Sequence, residues 1–108
     1  MTTKEPSSFV KKVWELALSI PAGKVTTYGY LTVAAGGHPM MAQMITHILS
    51  KCPNEKDIPY HRIVYASGKV WMSEKYRKQR LKLYKKEGII VDNKDRILNF
   101  SDILWTFS

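Results

Sequence analysis

The double glycine Gly36-Gly37 limits the possible folds of this chain more than any other feature. It separates two short apolar stretches. The first, "GYLTVAAGG", reads as a short helix stopped by the two glycines. The second, "HPMMAQMITHILSKC", reads as another helix. Pro39 suits its first turn, and Met41, Met44, Ile45, Ile48 and Leu49 recur at helical spacing. Two short helices across a glycine turn, the second apolar on one side only, predict a helix-turn-helix. A chain of 108 residues has room for one core, so everything else must pack around that unit.

The flanking segments fit this plan. "KEPSSFVKKVWELALSIPAG" predicts a capped helix, with Ser7 or Ser8 supplying the N-cap oxygen. Phe9, Val10, Val13, Trp14, Ala17 and Leu18 form its apolar face, and Pro21 and Gly23 end it. "KVTTY" is short and β-branched and predicts a small strand or extended segment. "PNEKDIP" reads as a loop. "HRIVYASGKVWM" predicts a hairpin turning at Ser67-Gly68. "SEKYRKQRLKLYKKEG" predicts a helix capped by Ser73 and closed by Gly88, with Tyr76, Leu81, Leu83 and Tyr84 as its apolar contacts. The remainder predicts an extended piece and an apolar tail packed on the core. The expected fold is α/β, mainly α: one winged helix-turn-helix domain over residues 1–108 with a small β hairpin.

Composition narrows the function. Hydrophobic residues at 44% and charged residues at 24% are ordinary for a soluble globular protein. No apolar run approaches the roughly 18 residues of a membrane span, and "MTTKEPSSFVKK" lacks a signal peptide's apolar core. The expectation is no membrane association and a location in the cytoplasm, on the nucleoid, or in the nucleus of a eukaryote. Cys52 is the only cysteine, which excludes an internal disulfide. His38, His47 and His61 show no zinc spacing with it, so no metal or other cofactor is expected. The net charge is +8, and residues 60–88 carry nine basic and two acidic side chains. Such a local excess favours a polyanion through counterion release. It is also what a solvated helix looks like.

The most specific stretch is "IPYHRIV", Ile58 to Val64. It sets His61 and Arg62 behind Pro59 and Tyr60, a pattern closer to a site than to a packed segment. Here the residues resemble a known family. "IPAGKVTTYG", Ile20 to Gly29, is similar to the start of the DNA-binding domain of O6-alkylguanine-DNA alkyltransferases. "IPYHRIV" resembles their active-site motif Pro-Cys-His-Arg-Val, "ASGKV" resembles the hairpin after it, and Leu83 to Gly88 resembles the segment bearing the relay glutamate. The resemblance spans roughly residues 8–90 in the same order. The acceptor cysteine falls at Tyr60. Family members with that cysteine replaced, commonly by tryptophan, form the alkyltransferase-like proteins, which are small and lack a separate N-terminal domain, as this chain is expected to. They bind O6-alkylguanine in DNA without repairing it and mark it for nucleotide excision repair.

Direct dealkylation needs a thiolate, which a histidine and glutamate relay can activate. His61 and Glu87 match the relay positions, but a tyrosine phenol with a pKa near 10 is a far poorer nucleophile. Cys52, eight residues upstream of Tyr60, is a poor substitute. The resemblance therefore implies no enzymatic activity and no catalytic residue. It implies a lesion pocket made by Tyr60, His61, Trp71, Met72 and Tyr28. Tyr60 would form its wall against the alkyl group and its hydroxyl could donate to the base; the plainer reading is a core aromatic. Tyr28 resembles a family tyrosine that presses on the phosphate of the flipped nucleotide. Thr26 and Thr27 read as phosphate contacts in the same loop. Arg62 either contacts DNA or pins loops through backbone carbonyls. Ala42-Gln43 stands where the family has an Ala-Arg pair whose arginine fills the gap left by the flipped base. Glutamine there predicts weaker DNA binding, while Met40 and Met41 beside it could wedge between bases. Cys52 replaces a bracing asparagine and reads as structural.

The expected partner is double-stranded DNA containing alkylated guanine, bound by a monomer, with nucleotide excision repair proteins downstream. Two other readings remain open from sequence: a winged-helix regulator without lesion specificity, and a degenerate domain with only nonspecific DNA affinity.

Overall fold

The computed structural model describes residues 7–107; residues 4–6 of the expected first helical segment lie outside them. Helix α1 (Ser8–Leu18) starts where Ser7 caps it, its hydroxyl oxygen accepting from the Val10 N–H at 3.2 Å. Its inner face buries Val13 and Ala17 completely. Trp14 donates its indole N–H to the Ile48 carbonyl at 2.7 Å, tying α1 to a helix 34 residues away. Leu18, expected on the apolar face, is exposed.

The chain then runs through β1 (Thr26–Thr27) into α2 (Tyr28–Ala34), capped by the Thr27 hydroxyl, which accepts from the Tyr30 N–H. Gly36 takes a left-handed φ of 95°, which favours glycine, and ends α2. Gly37 is needed for a different reason. A Cβ there would meet the Phe9 ring at 2.5 Å, so this glycine lets α2's exit pass close to α1.

The second helix differs from its expectation. Residues Pro39–Met44 form a 3-10 helix, and only Ile45–Ser50 are α-helical, as α3. Three-residue periodicity stacks Met40 and Gln43 on one line, and both are exposed. Met44, expected on the apolar face, is also exposed, whereas Ile45, Ile48 and Leu49 are buried as expected.

The hairpin is also corrected. Gly68 donates to the Tyr65 carbonyl, so the turn at Ser67-Gly68 forms. Tyr65 also donates across it to the Lys69 carbonyl at 3.0 Å, but beyond that pair the two arms find other partners. Strand β2 (Ile63–Val64) pairs in parallel with β1, Thr26 opposite Ile63 and Thr27 opposite Val64. Lys69 bridges Arg96, and Val70 donates to the Asp95 carbonyl. The C-terminal segment thus takes the place of a hairpin arm. It continues through α5 (Phe100–Ile103) and exchanges two hydrogen bonds with Val25, extending the sheet edge as expected of a packed tail.

Helix α4 (Arg77–Lys86) begins one turn later than expected. Ser73 still accepts from the Tyr76 N–H, but as part of a preceding turn. Gly88 ends α4 with φ 74°. Two apolar clusters hold these parts together. Val13, Ala17, Ile20, Leu31, Ile45, Ile48, Leu49 and Ile63 make the helical one. Val25, Val64, Val70, Tyr84, Ile89 and Ile97 make the one beneath the sheet. The β1–β2 pair joins them and sets the Tyr60 motif beside Tyr28.

Candidate functional site

The motif is held by its backbone. A one-turn 3-10 helix over Tyr60–Arg62 leads directly into β2, and its two neighbours Ile58 and Pro59 are buried. Pairing of β2 with β1 then fixes where Tyr60, His61 and Arg62 point.

His61 and Arg62 converge on one carboxylate. Glu87, at the end of α4, accepts from Arg62 Nη2 at 2.7 Å, from Arg62 Nε at 3.1 and 3.2 Å, from the Gly23 N–H at 3.0 Å, and faces His61 Nε2 at 2.6 Å. Arg62 Nη1 also donates to the Ile20 carbonyl at 2.8 Å. Burial alone would raise the Glu87 carboxyl. The bonds from Arg62, Gly23 and His61 outweigh it and hold the group down at about 2. Glu87 is therefore ionised and can only accept, so His61 carries its proton on Nε2. Burial keeps the His61 imidazole below its ordinary value despite the carboxylate. Tyr84 donates to the His61 carbonyl, and burial pushes its own phenol up to about 12. These contacts tie the end of α1, the Gly23 turn, the motif and α4 into one unit. Arg62, expected as a candidate DNA contact, is committed to pinning loops instead.

Tyr60 stands between two clefts. One, of about 570 Å³, is lined by Lys56, Pro59, His61, Arg62, Gln79 and Leu83, among others. The other, of about 710 Å³, is lined by Tyr28, Ala42, Gln43, Thr46 and Tyr65. Glu55, Tyr60, Trp71, Tyr76 and Arg80 border both. The ring of Tyr60 packs partly buried against the helical core. Its hydroxyl donates to Glu55 Oε2 at 2.8 Å, so it is already engaged and the donor expected for a base is spoken for. Burial, reinforced by Glu55, raises the Tyr60 phenol above its ordinary value. It stays protonated at neutral pH, and a neutral phenol does not attack an alkyl carbon. Cys52 is buried within the helical core.

The remaining expected residues separate into two groups. Tyr28, Ala42, Gln43 and Trp71 share the clefts with Tyr60. Tyr28 lies with its ring 5.8 Å from Tyr65, and burial raises its phenol while a bond to Thr46 opposes the rise. Met72 borders neither cleft and packs against the cluster beneath the sheet. Thr26 is fully buried and Thr27 nearly so, with its hydroxyl occupied in capping α2. Both side chains are thus withdrawn from the surface, on a strand held between the two apolar clusters by its pairing with Ile63 and Val64.

Several cleft residues escaped the sequence reading. Tyr76, Arg80 and Leu83 lie four and three residues apart and share one face of the α4 segment. Grouping by hydrophobicity instead joined Tyr76 and Leu83 to Leu81, which is exposed on another side. Trp71 lies 5.9 Å from Tyr76, and the Arg80 guanidinium lies 4.9 Å over the Trp71 ring. Glu55 carried no local signal, since its importance comes from contact with Tyr60. Among the described residues, no group of three or more His, Cys, Asp or Glu is placed to hold a metal ion, and no helix is long and apolar enough to cross a membrane.

Residues 8–89 match the family described as 6-O-methylguanine DNA methyltransferase, DNA binding domain. The DNA base-flipping protein of Escherichia coli is 29% identical over 94 residues, covering 87% of this chain and 72% of that protein. Alkyltransferase-like protein 1 of Schizosaccharomyces pombe is 31% identical over 62 residues, 57% of this chain and 56% of that protein. The crystal structure of S. pombe Atl1 with damaged DNA containing O6-carboxymethylguanine superposes with a TM-score of 0.71 at 23% identity, over 94% of this chain and 98% of that one. That likeness supports the mainly helical fold with a small two-stranded sheet.

Proposed function

The chain belongs to the family of the 6-O-methylguanine DNA methyltransferase DNA-binding domain, and from that premise we propose that it reads O6-alkylguanine in duplex DNA without repairing it. The observation that carries this reading is Tyr60. A protonated phenol, bonded to Glu55, stands between two clefts at the motif position where the family's acceptor cysteine belongs, next to an intact His61–Glu87 pair. The frame remains and the nucleophile is gone. An extrahelical base entering past Tyr28 and Gln43 meets the rings of Tyr60 and Trp71 and the stacked guanidinium of Arg80. Aromatic faces of this kind hold an unstacked base by contact area. The names of the relatives, a base-flipping protein and an alkyltransferase-like protein, agree with this role. Because the protein does not remove the alkyl group, its usefulness depends on handing the lesion to another system. Nucleotide excision repair is the proposed recipient, with the protein acting as a monomer.

The test is a titration against matched duplexes carrying guanine or O6-methylguanine at low and moderate salt, with intact-mass analysis of the protein afterwards. Tighter binding of the lesion and an unchanged protein mass are expected. Equal affinities with a steep salt dependence would leave only nonspecific DNA binding, and a mass gain of one methyl group would restore catalysis.

A further inference from the structure

Arg80 is set apart from the other arginines near the clefts. Arg62 is paired with Glu87 at 2.7 Å and Arg77 with Asp95 at 2.8 Å. Among the described residues no carboxylate ion-pairs with Arg80. Its guanidinium lies over the Trp71 ring instead, half-buried, with a hydrogen bond to the neutral Tyr84 hydroxyl, and its charge is felt at Tyr28 and His61. It therefore points inward from α4 rather than out to solvent. It borders both clefts, and among the described residues it is the only basic one lining the cleft that contains Tyr28 and Gln43.

A partly desolvated cation without a counter-charge is costly, and proteins ordinarily pair it. Left open in a cleft, it is a receptor for an incoming anion. The planar fork of a guanidinium matches a carboxylate through two parallel hydrogen bonds, and stacking on an indole fixes its plane beforehand. The flipped nucleotide's phosphates remain in the backbone, at the mouth of a cleft that admits a base. What enters with the base is the group attached to it. We propose that Arg80 reads the charge of the O6 substituent and admits adducts that end in a carboxylate. This rests on the lesion-reading role above. Glu55 acts in the opposite sense: its carboxylate borders the same two clefts and is held by the Tyr60 hydroxyl. The tolerance for an anionic substituent is set by the balance of these two side chains.

The full chain is titrated against duplexes containing guanine, O6-methylguanine, O6-propylguanine and O6-carboxymethylguanine at fixed salt. The propyl and carboxymethyl groups are close in size and differ in charge. The readout is the ratio of carboxymethyl to propyl affinity. Arg80→Gln should lower that ratio about tenfold, the effect of removing one charge-assisted contact. Arg80→Lys keeps the charge but not the fork and should lose only part of it, and this milder variant carries the test should Arg80→Gln not fold. Glu55→Gln should raise the ratio. An unchanged ratio in Arg80→Gln overturns the proposal. So does an equal loss for all four duplexes, which would make Arg80 a phosphate contact. A wild-type protein that binds no lesion better than guanine overturns the lesion-reading role and this inference with it. A kept lesion preference with an unmoved ratio sinks only the inference.

Discussion

Replacing Glu87 by glutamine should destabilise this protein by about 3 kcal/mol at neutral pH while leaving its shape in place. The figure comes from the carboxyl's own titration. Its pKa falls from an ordinary 4.5 to about 2 in the folded chain. At about 1.4 kcal/mol per unit, that difference corresponds to roughly 3 kcal/mol of extra stability for the ionised form. The side chain is only 7% exposed, so solvent screening removes little of it. Glutamine has the same size, but its amide cannot accept from Arg62, Gly23 and His61 together, and it turns donors toward a guanidinium. The sign with pH follows. A depressed carboxyl pKa stabilises the fold above about 4.5, and that contribution drains away as pH falls toward about 2. Between about pH 7 and 5 the gap between wild type and variant should persist, because the carboxyl of the folded wild type is fully ionised there. Below about 4.5 it should close. Urea unfolding followed by the fluorescence of the three tryptophans, at pH 7, 5 and 3, measures this directly. A gap under about 1 kcal/mol at pH 7, or one that does not shrink between pH 5 and 3, would refute the claim that this carboxylate is the keystone of the site.

Two further predictions concern binding. Tyr60→Phe removes the bond to Glu55 but keeps the ring, so affinity for O6-methylguanine DNA should change less than about threefold, whereas Tyr60→Ala should lose about tenfold or more of it; equal affinities for wild type and Tyr60→Ala in a fluorescence titration would remove the wall role. Gln43→Arg, on the exposed line beside the Tyr28 cleft, should tighten DNA binding and steepen its log–log salt dependence by about one unit; an unchanged slope would show that this position does not meet DNA.

Much of the architecture could be read locally. Ser7 caps α1, Gly88 closes α4, and Ile45, Ile48 and Leu49 turn inward because capping and periodicity act within one or two turns of chain. Where the reading failed, a distant segment had intervened. The arms around Ser67-Gly68 pair only next to the turn, at Tyr65 and Lys69; beyond it they were claimed by Thr26-Thr27 on one side and Asp95 to Ile97 on the other, so the hairpin stays short. The same pairing buried the two threonines that had looked like phosphate ligands.

The sequence by itself determined that no thiol stands in the motif: one cysteine lies eight residues away, and a tyrosine fills its place. It also determined the order of helices and turns, since these depend on neighbours along the chain. Only the tertiary structure decided what the polar side chains do. Arg62 and Glu87 are 25 residues apart, Arg62 and the Ile20 carbonyl 42 apart. Whether an arginine is consumed in holding the fold or left open to a ligand depends on which carboxylate the packing brings to it. Packing brought Glu87 to Arg62 and Asp95 to Arg77, and it brought Arg80 the face of Trp71.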